Sequence, residues 1–405
     1  MQIKFRPWSS PTAPKSIEFR PRRPRRSRPG VEALEGRQLL SLGSELGGNA
    51  FTAGQQRLAV NASAPNGRSV IAWVDGTSSS NRGVEFRLFD SSGSPTTSDL
   101  PVPGSGGATP EPPSIAVDSQ GNFAVVWAEP AANFDTHIVA QRFNASGSPI
   151  GSNIFIASNS LGARSPDVAM DAVGNFVVAY ERQGTSSQDT DVVVQLHNKD
   201  GVTVVDVQSS SFYDEQKPSV AMAADGRFAV TYEWSDPGSS DSHIWTTTHF
   251  ANGARHRGFH LAFTATDEEN PDIAMNNSGD LVVAYALNTF PDRQVKVRRA
   301  TFDGGLESLI DIDVSLDDEH DPQVAMNRTG RSFVVAYDAI ISPGVSEVRV
   351  VEFDQSDGRS EQIPSQGALN AAVSMGPNGK YLVTYQRKVG TDENIFRRRG
   401  SFSTL

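Results

Sequence analysis

The chain has 405 residues, of which 37% are hydrophobic and 20% charged, and its formal net charge at pH 7 is −11. It contains no cysteine, so disulfide bonds, cysteine-bound zinc, iron–sulfur clusters and thiol chemistry are excluded. No apolar run of roughly 18 residues occurs, which excludes a transmembrane helix.

The N-terminal segment differs from the rest of the chain in charge. Residues 1–40 hold ten Lys or Arg and three acidic residues, a charge of +7, so the remainder carries −18. The arginine- and proline-rich run over residues 21–29 offers little apolar surface to bury, and we predict a disordered basic leader over residues 1–41. Because no aromatic residues are interleaved with these arginines, we expect no nucleic-acid partner.

A short motif follows the arginine-rich run. It is formed by Leu34, Glu35, Arg37, Leu39, Leu40 and Ser41. It resembles the LEPR-XLL motif near the N-terminus of planctomycete exported and surface proteins, and Gly36 departs from it at the proline position. No ordinary signal peptide precedes residue 50, because an apolar core of about seven residues is absent. The resemblance therefore implies an extracellular or cell-surface location that composition alone does not indicate.

Seven copies of one pattern organise residues 42–405. Each copy has a short apolar segment, a turn that ends in glycine, and a fully apolar segment that ends in an aromatic residue. The glycines are 49 to 54 residues apart, at Gly67, Gly121, Gly174, Gly226, Gly279, Gly330 and Gly379. The aromatic residues are Trp73, Trp127, Tyr180, Tyr232, Tyr285, Tyr337 and Tyr385. A repeat of this length is typical of propeller blades.

A second hairpin follows in the units, for example around the turn Asn198–Gly201. Four strands per unit and seven units predict an all-β, seven-bladed propeller of four-stranded blades, with each turn glycine in the left-handed conformation. These repeats also resemble repeats of large secreted bacterial proteins, a resemblance that implies a fold and a location but no functional residues.

The two ends of the chain complement each other. Residues 43–53 match the last strand of the second unit position by position, whereas the C-terminus ends after a third strand. We therefore predict that residues 46–53 pair beside strand 393–402 and close the ring, which leaves no exposed sheet edge.

Acidic residues collect in the connections between units, where functional loops of a propeller usually lie. Six of them precede prolines and are the candidate calcium ligands, because hard cations bind several converging oxygens: Asp214, Glu215, Asp267, Glu268, Asp318 and Glu319. The alternative is that these acidic residues cap turns and keep the protein soluble. No segment matches an EF-hand or another known calcium loop.

Other candidate sites are weaker. His243, His249, His256 and His260 fall within eighteen residues, but they straddle a turn, and we expect surface histidines of an outer hairpin rather than a metal site. A Gly-x-Ser-x-Gly nucleophile motif is absent, and no helix is evident.

The predicted function is therefore a non-enzymatic, exported or surface-structural binding module. We expect it to be monomeric and to bind a cell-envelope component, a glycan or a cationic partner at an acidic face. The alternative is a glycan-processing enzyme, a glycoside hydrolase or lyase-like protein, with its site at the mouth of the channel, where two carboxylates would be needed.

Overall fold

A computed structural model describes residues 42–402 apart from 77–82, 108–110, 131–134, 161, 185–188, 209–212, 237–238, 240, 290, 313–316, 355–356 and 364–366. The predicted leader therefore lies outside the described residues. Those that are described form seven four-stranded antiparallel sheets, which confirms the predicted seven-bladed propeller. Among them the helical structure is a single 3₁₀ turn, Pro377–Gly379.

The strands are numbered in chain order, and blades one to six are continuous in sequence. Blade one contains β2 (Gln56–Ser63), β3 (Ser69–Asp75), β4 (Gly83–Phe89) and β5 (Leu100–Pro101). Blade two contains β6 (Ser114–Val117), β7 (Phe123–Pro130), β8 (Thr136–Phe143) and β9 (Pro149–Ser160). Blade three contains β10 (Arg164–Met170), β11 (Phe176–Gln183), β12 (Thr190–His197) and β13 (Thr203–Gln208).

The next three blades repeat this order. Blade four contains β14 (Asp214–Met222), β15 (Phe228–Ser235), β16 (His243–His249) and β17 (Arg255–Ala262). Blade five contains β18 (Glu268–Met275), β19 (Asp280–Asn288), β20 (Arg293–Thr301) and β21 (Leu306–Asp311). Blade six contains β22 (Asp318–Met326), β23 (Phe333–Ser342), β24 (Val345–Asp354) and β25 (Asp357–Ile363).

Blade seven is discontinuous in sequence. It contains β26 (Leu369–Met375), β27 (Lys380–Val389), β28 (Asp392–Ser401) and β1 (Leu46–Gly47), with β1 beside β28. Regular pairing is limited to Leu46 with Arg397 and Gly47 with Phe396. It is shorter than the predicted 46–53, although the Gly48 N–H also donates to the Ile395 carbonyl at 2.8 Å.

The core consists of seven apolar layers between neighbouring blades. One layer joins Ile71 and Trp73 of blade one to Leu382 and Ile395 of blade seven, so the last blade packs on the first. All seven repeat aromatics lie on the second strands and are buried. Second strands are apolar throughout because both of their faces are covered by adjacent blades.

The turns between first and second strands follow their sequence. Asp171 Oδ1 accepts the Val173 and Asn175 N–H groups, each at 2.9 Å, and Gly174 has φ +95°. A side-chain acceptor and a left-handed glycine together satisfy a tight hairpin. Gly330 is the exception to the predicted conformation, because its φ is not positive: the sixth turn has one more residue, and Asn327 N–H reaches the carbonyl of Ser332 instead.

Candidate functional site

A central cavity of about 510 Å³ opens at the face where the first strands begin, called here the cavity face. All seven blades contribute to it. Its polar lining includes the carboxylates Glu111, Asp167, Asp272 and Asp321, the cations Arg164 and Lys217, and the amides Asn270, Gln323 and Asn370. A cavity of this size is in the range of small-ligand sites, roughly 300–1,000 Å³.

Six residues on the wall of this cavity adopt the left-handed backbone conformation although none is glycine. They are Leu58, Ser165, Lys217, Asn270, Asp321 and Asn370, with φ between 49° and 57°. Each lies where the register between the first and second strands of its blade shifts. A non-glycine residue in this region costs about 1–3 kcal/mol, and such residues gather at functional sites. Six strained residues therefore surround one opening.

Side chains of the preceding blade hold most of these strained residues. The N–H of Lys217 donates to Glu181 Oε1 at 2.8 Å, and that of Asn270 donates to Glu233 Oε1 at 2.6 Å. Equivalent bonds join Leu58 to Gln386 Oε1, Ser165 to Glu111 Oε2 and Asn370 to Asp338 Oδ2. This repeated bond holds the left-handed residue at the register shift, called here the bulge, so that its side chain lies on the wall of the cavity.

The pattern changes at Asp321. Glu181 and Glu233 directly follow the repeat aromatic residues of their blades, whereas in blade five Ala286 follows Tyr285. No side-chain acceptor for the Asp321 N–H is found in the described part of the chain. The Asp321 carboxylate instead accepts hydrogen bonds from the Asn270 amide at 3.1 Å and from His320 Nδ1 at 2.9 Å. One wall of the cavity thus presents an exposed, oriented carboxylate.

The electrostatics separate the cavity carboxyls into two kinds. The hydrogen bond from His320 lowers the pKa of Asp321, and the same bond raises the pKa of His320. Burial raises the pKa of Glu111 and of Asp167, and it raises the pKa of Asp272 to about 7. Carboxyls whose environments move their pKa values apart are the usual source of a general acid and a general base.

Of the carboxyls with a raised pKa, Asp167 and Asp272 are engaged on both oxygens. Asp272 accepts the Ser219 hydroxyl at 2.7 Å and the Val324 N–H at 2.6 Å. Asp167 accepts the Ser114 hydroxyl at 2.6 Å and the Val220 N–H at 2.7 Å. These bonds join the first strands of neighbouring blades and stabilise the wall of the channel.

Glu111 differs from these two residues. Ser165 N–H donates to its Oε2 at 2.9 Å, and no donor to Oε1 is found among the described residues. Glu111 precedes blade two, three blades around the ring from Asp321. Lys217 contributes to the pKa of both, so its ammonium lies within electrostatic range of each.

The predicted calcium ligands are distributed over three inter-blade junctions rather than gathered in the cavity. Asp214 Oδ1, Asp267 Oδ1 and Asp318 Oδ1 accept the N–H groups of Thr190, Ser242 and Arg293 of the preceding blade, at 3.0, 3.1 and 3.1 Å. Glu215, Glu268 and Glu319 are buried. Each also has a partner on that blade: Val192 N–H at 3.2 Å, His243 Nδ1 at 2.9 Å and Val295 N–H at 3.1 Å. Calcium binding by these six residues stays a prediction.

One other group has suitable metal-ligand atoms. Atoms of His320, Asp321 and Asp338 lie within 4.8 Å of one another. Asp338 is buried, and its two oxygens already accept the N–H groups of Asn370 at 2.7 Å and Ala371 at 3.2 Å. These bonds favour a role for Asp338 in holding blade seven and in orienting the His320–Asp321 pair.

The histidine prediction was partly wrong. His243 and His249 are buried, the first against Glu268 and the second stacked on Phe228, because the repeat places both on the third strand of blade four. His260 lies between Trp234 and Trp245. No cluster of these histidines with metal-ligand spacing is found in the described residues.

Comparison with known proteins identifies no family model and no curated relative. Solved structures do match. A protein of unknown function from Dyadobacter fermentans aligns with TM-score 0.53 and 11% identity over 90% of this chain and 99% of its own. An α-L-arabinofuranosidase of Fusarium graminearum aligns with TM-score 0.50 and 13% identity over 71% and 92% of the two chains. A PL25 ulvan lyase, bound to a glucuronate–rhamnose sulfate oligosaccharide, aligns with TM-score 0.53 and 10% identity over 87% and 95%.

These neighbours correct the predicted function. A non-enzymatic module was predicted because no catalytic motif is readable in the sequence, whereas the neighbours of known activity are a hydrolase and a lyase of glycans. Both neighbours are of the class named in the alternative prediction, a glycan-processing enzyme. At identities of 10–13% the likeness establishes the fold alone, because one fold can carry many functions.

Proposed function

We propose that the protein is a glycan-cleaving enzyme whose site is the central cavity. The observation that carries the proposal is the placement of Glu111, with a raised pKa, and Asp321, with a lowered pKa, on different walls of one cavity. Glycoside hydrolysis requires one protonated and one ionised carboxyl beside the scissile bond.

The two carboxyls take complementary roles in this proposal. Glu111 donates a proton to the glycosidic oxygen as the bond from that oxygen to the anomeric carbon breaks. Asp321 accepts a proton from the water whose oxygen forms the new bond to that carbon. In this proposal the water lies between the two carboxyls and attacks the face of the sugar ring opposite the leaving group, which inverts the anomeric configuration.

The rest of the lining suits a hydroxyl-rich substrate. Asn270, Gln323 and Asn370 offer amide donors and acceptors, and the exposed Lys217 lines the same cavity. His320 fixes the orientation of Asp321 and keeps it ionised through its hydrogen bond. Convergent polar groups in a preformed concave site are how proteins orient a small polar ligand.

The experiment is to incubate the purified protein with arabinan, xylan, a soluble glucan and ulvan. The proposal predicts new reducing ends from at least one of them, and a first product with inverted anomeric configuration by NMR. Formation of an unsaturated uronate, detected by its ultraviolet absorbance, would instead indicate elimination by a lyase. No cleavage of any glycan in a wider panel would contradict the proposal.

The location of this activity is a separate inference from the N-terminal motif. We infer that the enzyme is exported, because the motif over Leu34–Ser41 resembles that of exported and surface proteins. Among the described residues, no helix has the length and hydrophobicity that a membrane span needs. Fractionation of producing cells tests the inference, which predicts the protein in the medium or envelope and fails if it stays in the cytoplasm.

A further inference from the structure

A cluster of aromatic side chains lies on blade four outside the central cavity, and the catalytic proposal does not use it. It contains Tyr213, Trp234, Trp245, His260 and Phe263, called here the aromatic platform. Neighbouring rings have centroids 4.6 to 6.4 Å apart, in tilted or edge-to-face arrangements. Such contacts stabilise each other and hold a preformed surface.

The strand register explains why these rings come together. Trp245 is paired with Tyr232 on one side and with His260 on the other, and Trp234 follows Tyr232 by two residues. Paired residues, and residues two apart, project from the same face of a sheet. Trp234, Trp245 and His260 therefore share one face of blade four, and Tyr213 and Phe263 lie beside its strand ends.

The platform opens to solvent at the cavity face. Phe263 is 62% exposed and Tyr213 is 37% exposed, while Trp234, Trp245 and His260 are half-buried. β14 begins at this face, and β15 ends there, so Tyr213 and Trp234 are on the same side of the ring as the cavity. A contiguous apolar patch that remains exposed in a folded protein marks an interaction site, whereas single exposed rings do not.

The surroundings of the platform indicate the chemistry of its ligand. Acidic residues lie in the same connections, with Asp236 and Asp241 in one loop and Asp214 and Asp267 in two others. This charge disfavours a polyanion such as nucleic acid or a sulfated glycan. His260, half-buried against Trp234 and Trp245, adds a polar ring to these apolar side chains. A neutral sugar, with apolar C–H faces and a rim of hydroxyl groups, matches that combination.

We propose that the aromatic platform binds the sugar rings of a neutral polysaccharide and holds the polymer beside the central cavity. The site needs no turnover, so it is tested independently of the proposed reaction. Two of the five tryptophans of the chain are in the platform, and a bound sugar ring that excludes water from them will change their fluorescence.

The experiment is affinity electrophoresis in native gels that contain arabinan, xylan, a soluble glucan or ulvan. The variant is Tyr213→Ala with Phe263→Ala, which removes exposed rings and leaves the buried sheet unchanged. The matched control is Phe250→Ala, which removes a ring that is 44% exposed on the turn between β16 and β17, at the opposite face of the same blade. Thermal melts of all three proteins report whether each remains folded.

We expect at least one neutral polysaccharide to retard the wild type and the Phe250→Ala protein equally, and the double variant to bind about tenfold more weakly. Titration of the same polysaccharide should shift tryptophan emission in the wild type. If the double variant unfolds, Phe263→Ala alone is measured in the same way. Equal retardation of the platform variant and the wild type, retardation by ulvan alone, or no retardation in any gel would overturn the proposal.

Discussion

The carboxylate of Glu181 accepts the backbone N–H of Lys217 at 2.8 Å, across the junction between blades three and four. Lys217 is in the left-handed conformation, with φ +52°, and Pro218 follows it. This single bond joins the second strand of one blade to the bulge of the next. The bulge in turn directs a lysine side chain into the central cavity, so the contact links the stability of the ring to the geometry of the candidate site.

The Glu181–Lys217 bond predicts how two substitutions of Glu181, by Ala and by Gln, change the free energy of unfolding. Replacement of Glu181 by Ala removes the acceptor of the partly buried Lys217 N–H and also the ion pair of Glu181 with Arg164, which should lower the free energy of unfolding by about 1–3 kcal/mol. Glu181→Gln should cost clearly less, because Gln386 already holds Leu58 through its Oε1 in the equivalent position. Urea unfolding measures both. Equal losses for the two variants would show that the charge, rather than the acceptor, matters.

The raised pKa of Asp272 predicts a pH-dependent stability. Burial raises this pKa from its ordinary 3.8 to about 7 in the folded protein. The folded state therefore binds the proton more tightly than the unfolded state, and the stability due to that proton is lost as the pH rises from about 4 through 7. The Asp272→Asn protein has no proton to lose at this position.

We therefore expect the melting temperature of Asp272→Asn, relative to that of the wild type, to increase between pH 4 and pH 8. Asp200→Asn, which changes a carboxylate that is 65% exposed, is the control and should keep a constant difference. A difference that stays constant for Asp272→Asn would mean that folding does not raise the pKa of Asp272.

The N-terminal strand gives a prediction about ring closure. Glu45 accepts hydrogen bonds from Tyr385 and Arg387 of blade seven, both at 2.5 Å, and β1 covers the edge of β28. Deletion of residues 1–55 should lower the melting temperature by several degrees, whereas deletion of residues 1–40 should leave it unchanged. Equal melting temperatures for the two truncated proteins would refute a stabilising role for this strand.

The acidic residues between blades can be tested for both of their possible roles. Arg293 donates two hydrogen bonds of 2.8 Å to Asp318, and Val295 N–H donates to Glu319. We expect Asp318→Asn with Glu319→Gln to melt lower than the wild type in chelator, because these inter-blade bonds weaken. The calcium hypothesis adds a calcium-specific rise in the wild type that the variant lacks. No such rise, with magnesium as control, would leave these residues with a structural role alone.

The sequence predicts the fold well because the fold is repeated. Gly174 and Tyr180 recur at a fixed separation in unit after unit, and local rules connect them to a turn and a buried strand. The candidate site has no such local signal. Glu181 and Lys217 are 36 residues apart and meet only because neighbouring blades pack together. The left-handed conformation before Pro218 also runs against the extended conformation that a following proline favours, so tertiary contacts rather than local preference impose it.

One feature of the sequence could have indicated the site. An acidic residue directly follows the repeat aromatic in three units, at Glu181, Glu233 and Asp338, whereas Ala286 occupies this position before Asp321. Polar residues at the end of an otherwise apolar strand depart from the repeat, and buried polar groups are expected to have hydrogen-bond partners. Contacts between blades decide which of these residues face a cavity. They also decide which carboxylate oxygens have no hydrogen-bond donor among the described residues, as is the case for Glu111 Oε1.

The most direct test of the account compares initial rates of glycan cleavage for Glu111→Gln, Asp321→Asn and the wild type, on a polysaccharide that the wild type cleaves. Asp200→Asn, which changes an exposed carboxylate on the turn between β12 and β13, at the opposite face of the ring, is the matched control. We expect Glu111→Gln and Asp321→Asn each to lower the rate by about 10²–10⁴-fold and the control to leave it unchanged. Rates within about twofold of the wild type for either cavity variant, with the fold intact, would contradict the assignment of the central cavity as the catalytic site.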